Sequence, residues 1–335
     1  MIKKPQEETN SIKKDKTQTS ITTNLQTFLD EYDDPSTELS SEFYSDSYET
    51  EEETEEIFTD LDIRNMNSLE KIAKYAEKIF IIAEDNDVAL FTSSEKFHKM
   101  QTEISEADKE SSVRWLINMQ FIYSLYGDTL LNSVAYFHIA LCNHSFPLSH
   151  LRLLAAVCLW ISEKVEEHSQ PGMEGLIKST GNIFSKEDII HFESELLEIL
   201  QFQLSFSTPK FFMRRYLDIF DSIDDNLMEA SYFFCDVALI YTEFLDFSSP
   251  TIAFSAVCLG LAGLDQYCPT EKLLSYAHIE NVSAIQPCMK SLIERSIPIL
   301  NNPNDSLYHK YTVSQLKKAI LKLKLSLDML HKITI

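Results

Sequence analysis

The sequence predicts an all-α protein. Three observations carry that reading. Apolar residues recur at helical spacing along most of the chain after Ser68. Alternation of apolar and polar residues, the mark of a half-buried strand, is scarce. Only 6 glycines occur in 335 residues, too few for a turn-rich β architecture. The formal net charge is −23, which argues against a nucleic-acid footprint.

The charge is uneven. Residues 1–62 carry 18 Asp/Glu against 5 Lys, and the stretch from 30 to 62 has no Lys or Arg. This segment lacks an apolar period and reads as a disordered acidic tail, because it cannot bury enough surface to offset its ordering entropy. No apolar segment follows the first lysines, so neither a signal peptide nor a membrane span is expected there.

Helices follow in order. Ser68 is a candidate N-cap for a lead-in helix whose face carries Leu69, Ile72, Ala73, Ala76, Ile79, Phe80 and Ala83. Further helices are expected near 111–125, 129–143, 149–164, 173–180, 185–201, 209–221, 226–244, 250–264, 270–277, 281–298 and 306–324. "AAVCLWIS" at Ala155 and "SAVCLGLA" at Ser255 form a faint repeat, each on an almost wholly apolar helix. Two copies of one helical domain are the simplest account. Thr208 and Pro209 mark the seam, as N-cap and first helical residue. The expected division is 1–62 acidic tail, 63–206 first domain with its lead-in helix, 207–325 second domain and 326–335 C-terminal tail.

Functional chemistry is sparse. The 6 cysteines form no C-x-x-C pair, and buried reduced thiols are expected rather than a zinc site or disulfides. No glycine-rich phosphate loop or catalytic triad has local support, so neither an enzyme nor a bound cofactor is expected. His191 and Glu195, one turn apart, read as a solvated helix face. One pair stands out. Glu193 falls within the apolar stripe of Ile189, Leu196, Leu197 and Leu200, where a carboxylate is costly unless paired. Lys164 ends the apolar helix "LRLLAAVCLWISEKVEE", where an ammonium is favoured by the terminal carbonyls. Periodicity alone leaves two readings open: unconnected surface charges, or a pair at a desolvated interface.

Several segments together resemble the cyclin family, A/B mitotic type. They are "LRLLAAVCLWISEKVEE" (151–167), "FSKEDIIHFESELLEILQFQL" (184–204), "YAEKIFIIAEDNDVALFTSSEKFHKMQTEIS" (75–105), "EFLDFSSPTIAFSAVCLGLA" (243–262), "QPCMKSLIERS" (286–296) and "LYHKYTVSQLKKA" (307–319). The resemblance implies two tandem five-helix cyclin boxes. It also implies an activating regulatory subunit, which forms a heterodimer with a cyclin-dependent protein kinase and sets that kinase's αC helix during cell-cycle control. Lys164 and Glu193 match the pair that bonds the kinase backbone; Ile161, Val165, Leu197, Phe202 and Leu204 match its apolar surround. A nuclear and/or cytoplasmic location is implied, without nucleic acid or membrane as partner. A kinase-independent cyclin-fold scaffold and a transcription-factor-type adaptor are the alternatives.

Departures mark a divergent member. The family's Arg-x-x-Leu-x-Asp-Trp becomes "KESSVRW" (109–115), and its Asp-Arg becomes His138-Ile139. The family's arginine–aspartate brace is therefore missing, since Lys109 beside a neutral His138 cannot form a bidentate pair. A looser entry to the first box is expected. The family's first-helix groove, here expected at Asp108, Ser111, Ser112 and Trp115 with Arg152, has lost most of its apolar lining.

Overall fold

A computed structural model describes residues 76–168, 172–220, 225–264 and 284–312, with scattered residues between 266 and 279. The expected acidic tail, the start of the lead-in helix, the helix near 270–277 and the C-terminal tail lie largely or wholly outside the described residues. Among those described, the regular structure is helical, with one isolated bridge between Asp87 and Ser207.

The lead-in helix α1 is described from Ala76 to Asp85, and a short α2 (Ser94–Met100) follows. The first domain then runs α3 (Glu106–Tyr123), α4 (Gly127–Asn143), α5 (Leu151–Glu166), α6 (Gly172–Ser179) and α7 (Lys186–Ile199). Ser105 with Asp108, and Ser185 with Asp188, make reciprocal capping boxes that start α3 and α7. Helix α5 is central, packed against α3, α4, α6 and α7. Its residues Leu153 to Leu159 are all buried, which is why nearly every side is apolar.

The second domain repeats the plan with α8 (Pro209–Leu217), α9 (Asp225–Ile240), α10 (Ser249–Gly263), α11 (Ile285–Asn301) and α12 (Ser306–Thr312). Every residue of α10 except Ala262 is buried, and it packs on α8, α9 and α11. The two almost wholly apolar segments of the repeat are thus the central helices of their domains. At Gly260 a Cβ would lie 2.9 Å from Ser231 Oγ and 3.2 Å from Leu227 Cδ1, so the glycine permits close approach of α9 and α10.

The helix expected over 226–244 ends at Ile240. Tyr241 is extended, and a 3₁₀ turn takes Thr242–Asp246. The reason lies in the first domain. Lys109, fully buried on α3, donates from Nζ to the carbonyl of Ile240 at 3.1 Å. An ammonium at a helix C-terminus satisfies an orphan carbonyl and meets the negative end of the dipole. Arg114 adds bonds to Asp305 and to Tyr241 Oη, both at 3.1 Å. In place of the lost brace, α3 is linked to the second domain. His138 is buried and its ring is held well below its ordinary pKa, first by burial and then by Lys109, so it is neutral.

A buried charge cluster fastens the second domain. Asp236 on α9 lies 2.9 Å from Lys210 Nζ of α8 and accepts from Lys310 Nζ and Tyr311 Oη of α12, each at 2.7 Å. Burial pushes its carboxyl up, but the two ammonium groups and the hydrogen bonds outweigh this and hold it far below the usual carboxylate range.

Candidate functional site

The charged end of α5 resolves into two sets of side chains. Glu167 turns back to the start of α4, where its carboxylate accepts from Tyr126 N–H at 2.6 Å and Thr129 Oγ1 at 2.7 Å. A carboxylate there meets unsatisfied N–H groups and the positive dipole end. Glu166 accepts from Asn132 Nδ2 at 2.8 Å. Glu163 is buried, and that burial, with Glu167 nearby, raises its carboxyl to about 7. These three glutamates serve the fold. Lys164 and Val165 face outward.

Lys164 forms an ion pair with Glu193 of α7. Their side chains are 38% and 16% exposed respectively. Trp160, one turn before Lys164, donates from Nε1 to the other oxygen of Glu193 at 3.0 Å, and the ammonium lies 5.0 Å from the indole centroid. Glu193 is thus held by two side chains of α5, and the ammonium gains cation–π attraction. The carboxylate on the apolar stripe is paired at the surface. Trp160 was not singled out from the sequence, although its i, i+4 spacing to Lys164 places both on one face.

The apolar surround divides. Val165 is 50% exposed and Phe202 is 68% exposed, while Leu197 and Leu204 are partly buried. Ile161 departs from expectation: at 2% exposure it packs into the core and offers no surface contact. Phe202 is presented by a strained turn. Gln201 and Phe202 both have positive φ, 53° and 58°, without being glycine. Phe202 N–H donates to Leu197 O at 2.9 Å and Gln201 N–H to Glu198 O at 3.0 Å, the paired bonds that close a helix before a left-handed residue. Such conformations cost roughly 1–3 kcal/mol each and cluster at functional sites.

The lead-in segment lies beside this turn. Ser207 N–H donates to Asn86 O at 2.9 Å, and Val88 N–H to Ser207 O at 3.2 Å. Helix α1 leaves Ile81 and Ile82 exposed, at 51% and 60%. The sequence reading assigned these two isoleucines no role. His191 and Glu195 sit 3.3 Å apart and well exposed on α7, as the solvated-face reading expects. Among the described residues, no group of His, Cys, Asp or Glu is placed to hold a metal ion.

A concave feature lies on α3. A groove of about 430 Å³ is lined by Ala107, Glu110, Ser111, Arg114, Trp115, Asn118 and Arg152. Arg152 lies over the Trp115 ring at 4.9 Å. Asp108 and Ser112, expected in this lining, are turned elsewhere: Asp108 caps α3, and the Ser112 hydroxyl donates to the Asp108 carbonyl.

Comparison with known proteins decides the family. Residues 79–205 match the model "Cyclin, N-terminal domain", and residues 207–323 match "Cyclin, C-terminal domain". The chain belongs to the cyclin family. It is 27% identical over 259 residues to Cyclin-A2-1 of Oryza sativa subsp. japonica, covering 76% of this chain and 53% of that protein. It is 23% identical over 260 residues to the G2/mitotic-specific cyclin-A of Hydra viridissima, covering 75% and 60%. This cyclin therefore spans a little over half the length of these relatives, and its modest identity to them marks a divergent A/B-type member. A viral cyclin from herpesvirus saimiri shares the fold at a TM-score of 0.56 and 18% identity, over 65% of this chain and 96% of that one. The yeast RNA polymerase II CTD kinase CTDK-1 complex contains a chain similar at a TM-score of 0.52 and 14% identity, over 62% of this chain and 71% of that one. Among the described residues, no helix is long and apolar enough to cross a membrane.

Proposed function

We propose that this cyclin is the regulatory subunit of a cyclin-dependent protein kinase and binds it through the surface around Lys164 and Glu193. One observation carries the reading most: a partly desolvated ion pair flanked by Val165 and by Phe202, an aromatic held outward on a strained turn. Aromatic anchors beside partly buried charge are what protein–protein hot spots are made of. Lys164 and Glu193 present polar groups to a kinase backbone; Val165, Leu197, Phe202 and Leu204 supply apolar contact, and Ile82 extends it along α1. By this reading the cyclin does no chemistry itself. It holds the kinase's αC helix so that the kinase completes its own Lys–Glu pair and its magnesium–ATP site. The A- and B-type names of its relatives support a role in the cell cycle.

The test is co-purification. Lys164→Ala and Glu193→Ala should each lose a kinase that the natural chain captures, with unchanged circular dichroism. Truncating one member of a desolvated charged pair at an interface typically costs ~2–5 kcal/mol. Full recovery of the kinase by both variants would remove this surface from the proposal, whereas capture of no kinase by the natural chain would favour a kinase-independent scaffold.

A further inference from the structure

The six thiols are not equivalent. Cys142, Cys158, Cys235 and Cys288 are buried; the Cys142 thiol donates to the Ser93 carbonyl, and the Cys235 sulfur lies 3.9 Å from that of Met213. Cys258 and Cys268 differ. Cys258 is buried in α10, and its sulfur lies 3.4 Å from that of Cys268, in the segment after the helix. Cys268 is partly exposed. Two sulfurs at this separation are in contact and share a hydrogen bond, and a disulfide would require them to close to ~2.05 Å. The pair lies in the second domain, on a different domain from Lys164 and Glu193.

We propose that Cys258 and Cys268 form a redox modification site, in which a hydroperoxide converts the two thiols to a reversible intramolecular disulfide. Exposure assigns the roles. Cys268 is the sulfur a small oxidant reaches. Its thiolate attacks the terminal peroxide oxygen, the O–O bond breaks, and an alkoxide or hydroxide leaves, giving a sulfenic acid. The Cys258 sulfur, already in contact, then attacks the Cys268 sulfur. The S–S bond forms, the S–O bond breaks, and the departing hydroxide takes the Cys258 proton to become water. Two thiols and one hydroperoxide give one disulfide, one water and one alcohol, or a second water when the oxidant is hydrogen peroxide.

The hydrogen bond to Cys268, and after it burial, keep Cys258 protonated, its thiol held well above the ordinary range. That makes Cys258 a poor first nucleophile and leaves it reduced until Cys268 is activated. Contact compensates for its weak nucleophilicity in the second step, because the attack is intramolecular. The consequence is protective: Cys268 is intercepted at the reversible sulfenic stage, before the irreversible sulfinic acid, and a thiol reductant restores it.

The experiment uses the full chain and hydrogen peroxide. After treatment, quenching and denaturation, titratable thiols should fall from the six of the sequence to four. Non-reducing digestion and mass spectrometry should find a peptide joining Cys258 to Cys268 that lacks two hydrogens and is separated by dithiothreitol. In Cys258→Ser, dimedone should trap Cys268 as sulfenic acid, and in Cys268→Ser, Cys258 should stay reduced. Retention of six thiols, a sulfinic acid on Cys268 of the natural chain without the cross-link, or a cross-link between other cysteines would overturn the proposal.

Discussion

Replacing Lys109 by methionine should make this cyclin more stable at neutral pH, and the gain should vanish as pH rises. Lys109 is fully buried, and its bond to the Ile240 carbonyl does not offset the loss of hydration: its ammonium is lowered from 10.5 to about 8, first by burial. The sign follows from linkage. Between about 8 and 10.5 an unfolded lysine holds a proton that the folded one releases, so unfolding free energy rises with pH across that window. Below it the full penalty acts, and a shift of that size corresponds to ~3 kcal/mol. Methionine keeps the volume and removes the charge but leaves the Ile240 carbonyl without this donor, at a cost of ~1 kcal/mol. The net gain near pH 7 is therefore ~2 kcal/mol, within the range seen when buried charges become apolar. Urea unfolding followed by circular dichroism, with both chains measured side by side at pH 7 and near pH 10, reads the difference directly. Tyrosines that ionise at high pH act on both chains and cancel. A variant less stable than the natural chain at pH 7, with a gap that does not change with pH, would refute the reasoning and show Lys109 to be a favourable cap.

Further outcomes follow from other contacts. Asp236→Asn should destabilise the second domain by ~3–5 kcal/mol, because it leaves Lys210 and Lys310 buried together without a counter-charge; differential scanning calorimetry measures it. Gly260→Ala should cost up to ~2 kcal/mol in the same measurement: the clash with Ser231 and Leu227 costs ~1–3 kcal/mol, and helix propensity returns ~1. An Arg-x-Leu peptide should show no micromolar binding by calorimetry at the α3 groove, where Arg114 and Arg152 oppose its cation and little apolar lining receives its leucine. Micromolar affinity would mean that Trp115 alone anchors such peptides.

Much of the architecture was legible because it is written locally. Helical periodicity, capping residues such as Ser185 and Thr208–Pro209, and the repeated apolar octapeptide depend on residues a few positions apart. They were enough to fix the all-α class, the approximate helix order and the two central helices α5 and α10. The oddity of Glu193 was equally visible, since a carboxylate on an apolar stripe violates the pattern of its own helix. Its partners were half legible. Lys164 stood at a helix end, while Trp160 was not singled out.

What the fold alone decided was the matching of residues across the two domains. Lys109 reaches the carbonyl of Ile240 across 131 positions, and Arg114 reaches Asp305 across 191. No periodicity encodes such a meeting, because it depends on how two domains pack. For the same reason the end of α9 at Ile240 was missed: the cap that receives its last carbonyl comes from another domain. Tertiary packing also separated Ile161 from Val165. Both are β-branched and one turn apart on α5, yet the first lies under the helices packed around it and the second lies beyond their edge. Sequence sets which side chains are apolar and on which face they sit; only the neighbouring helices set where that face stops being covered.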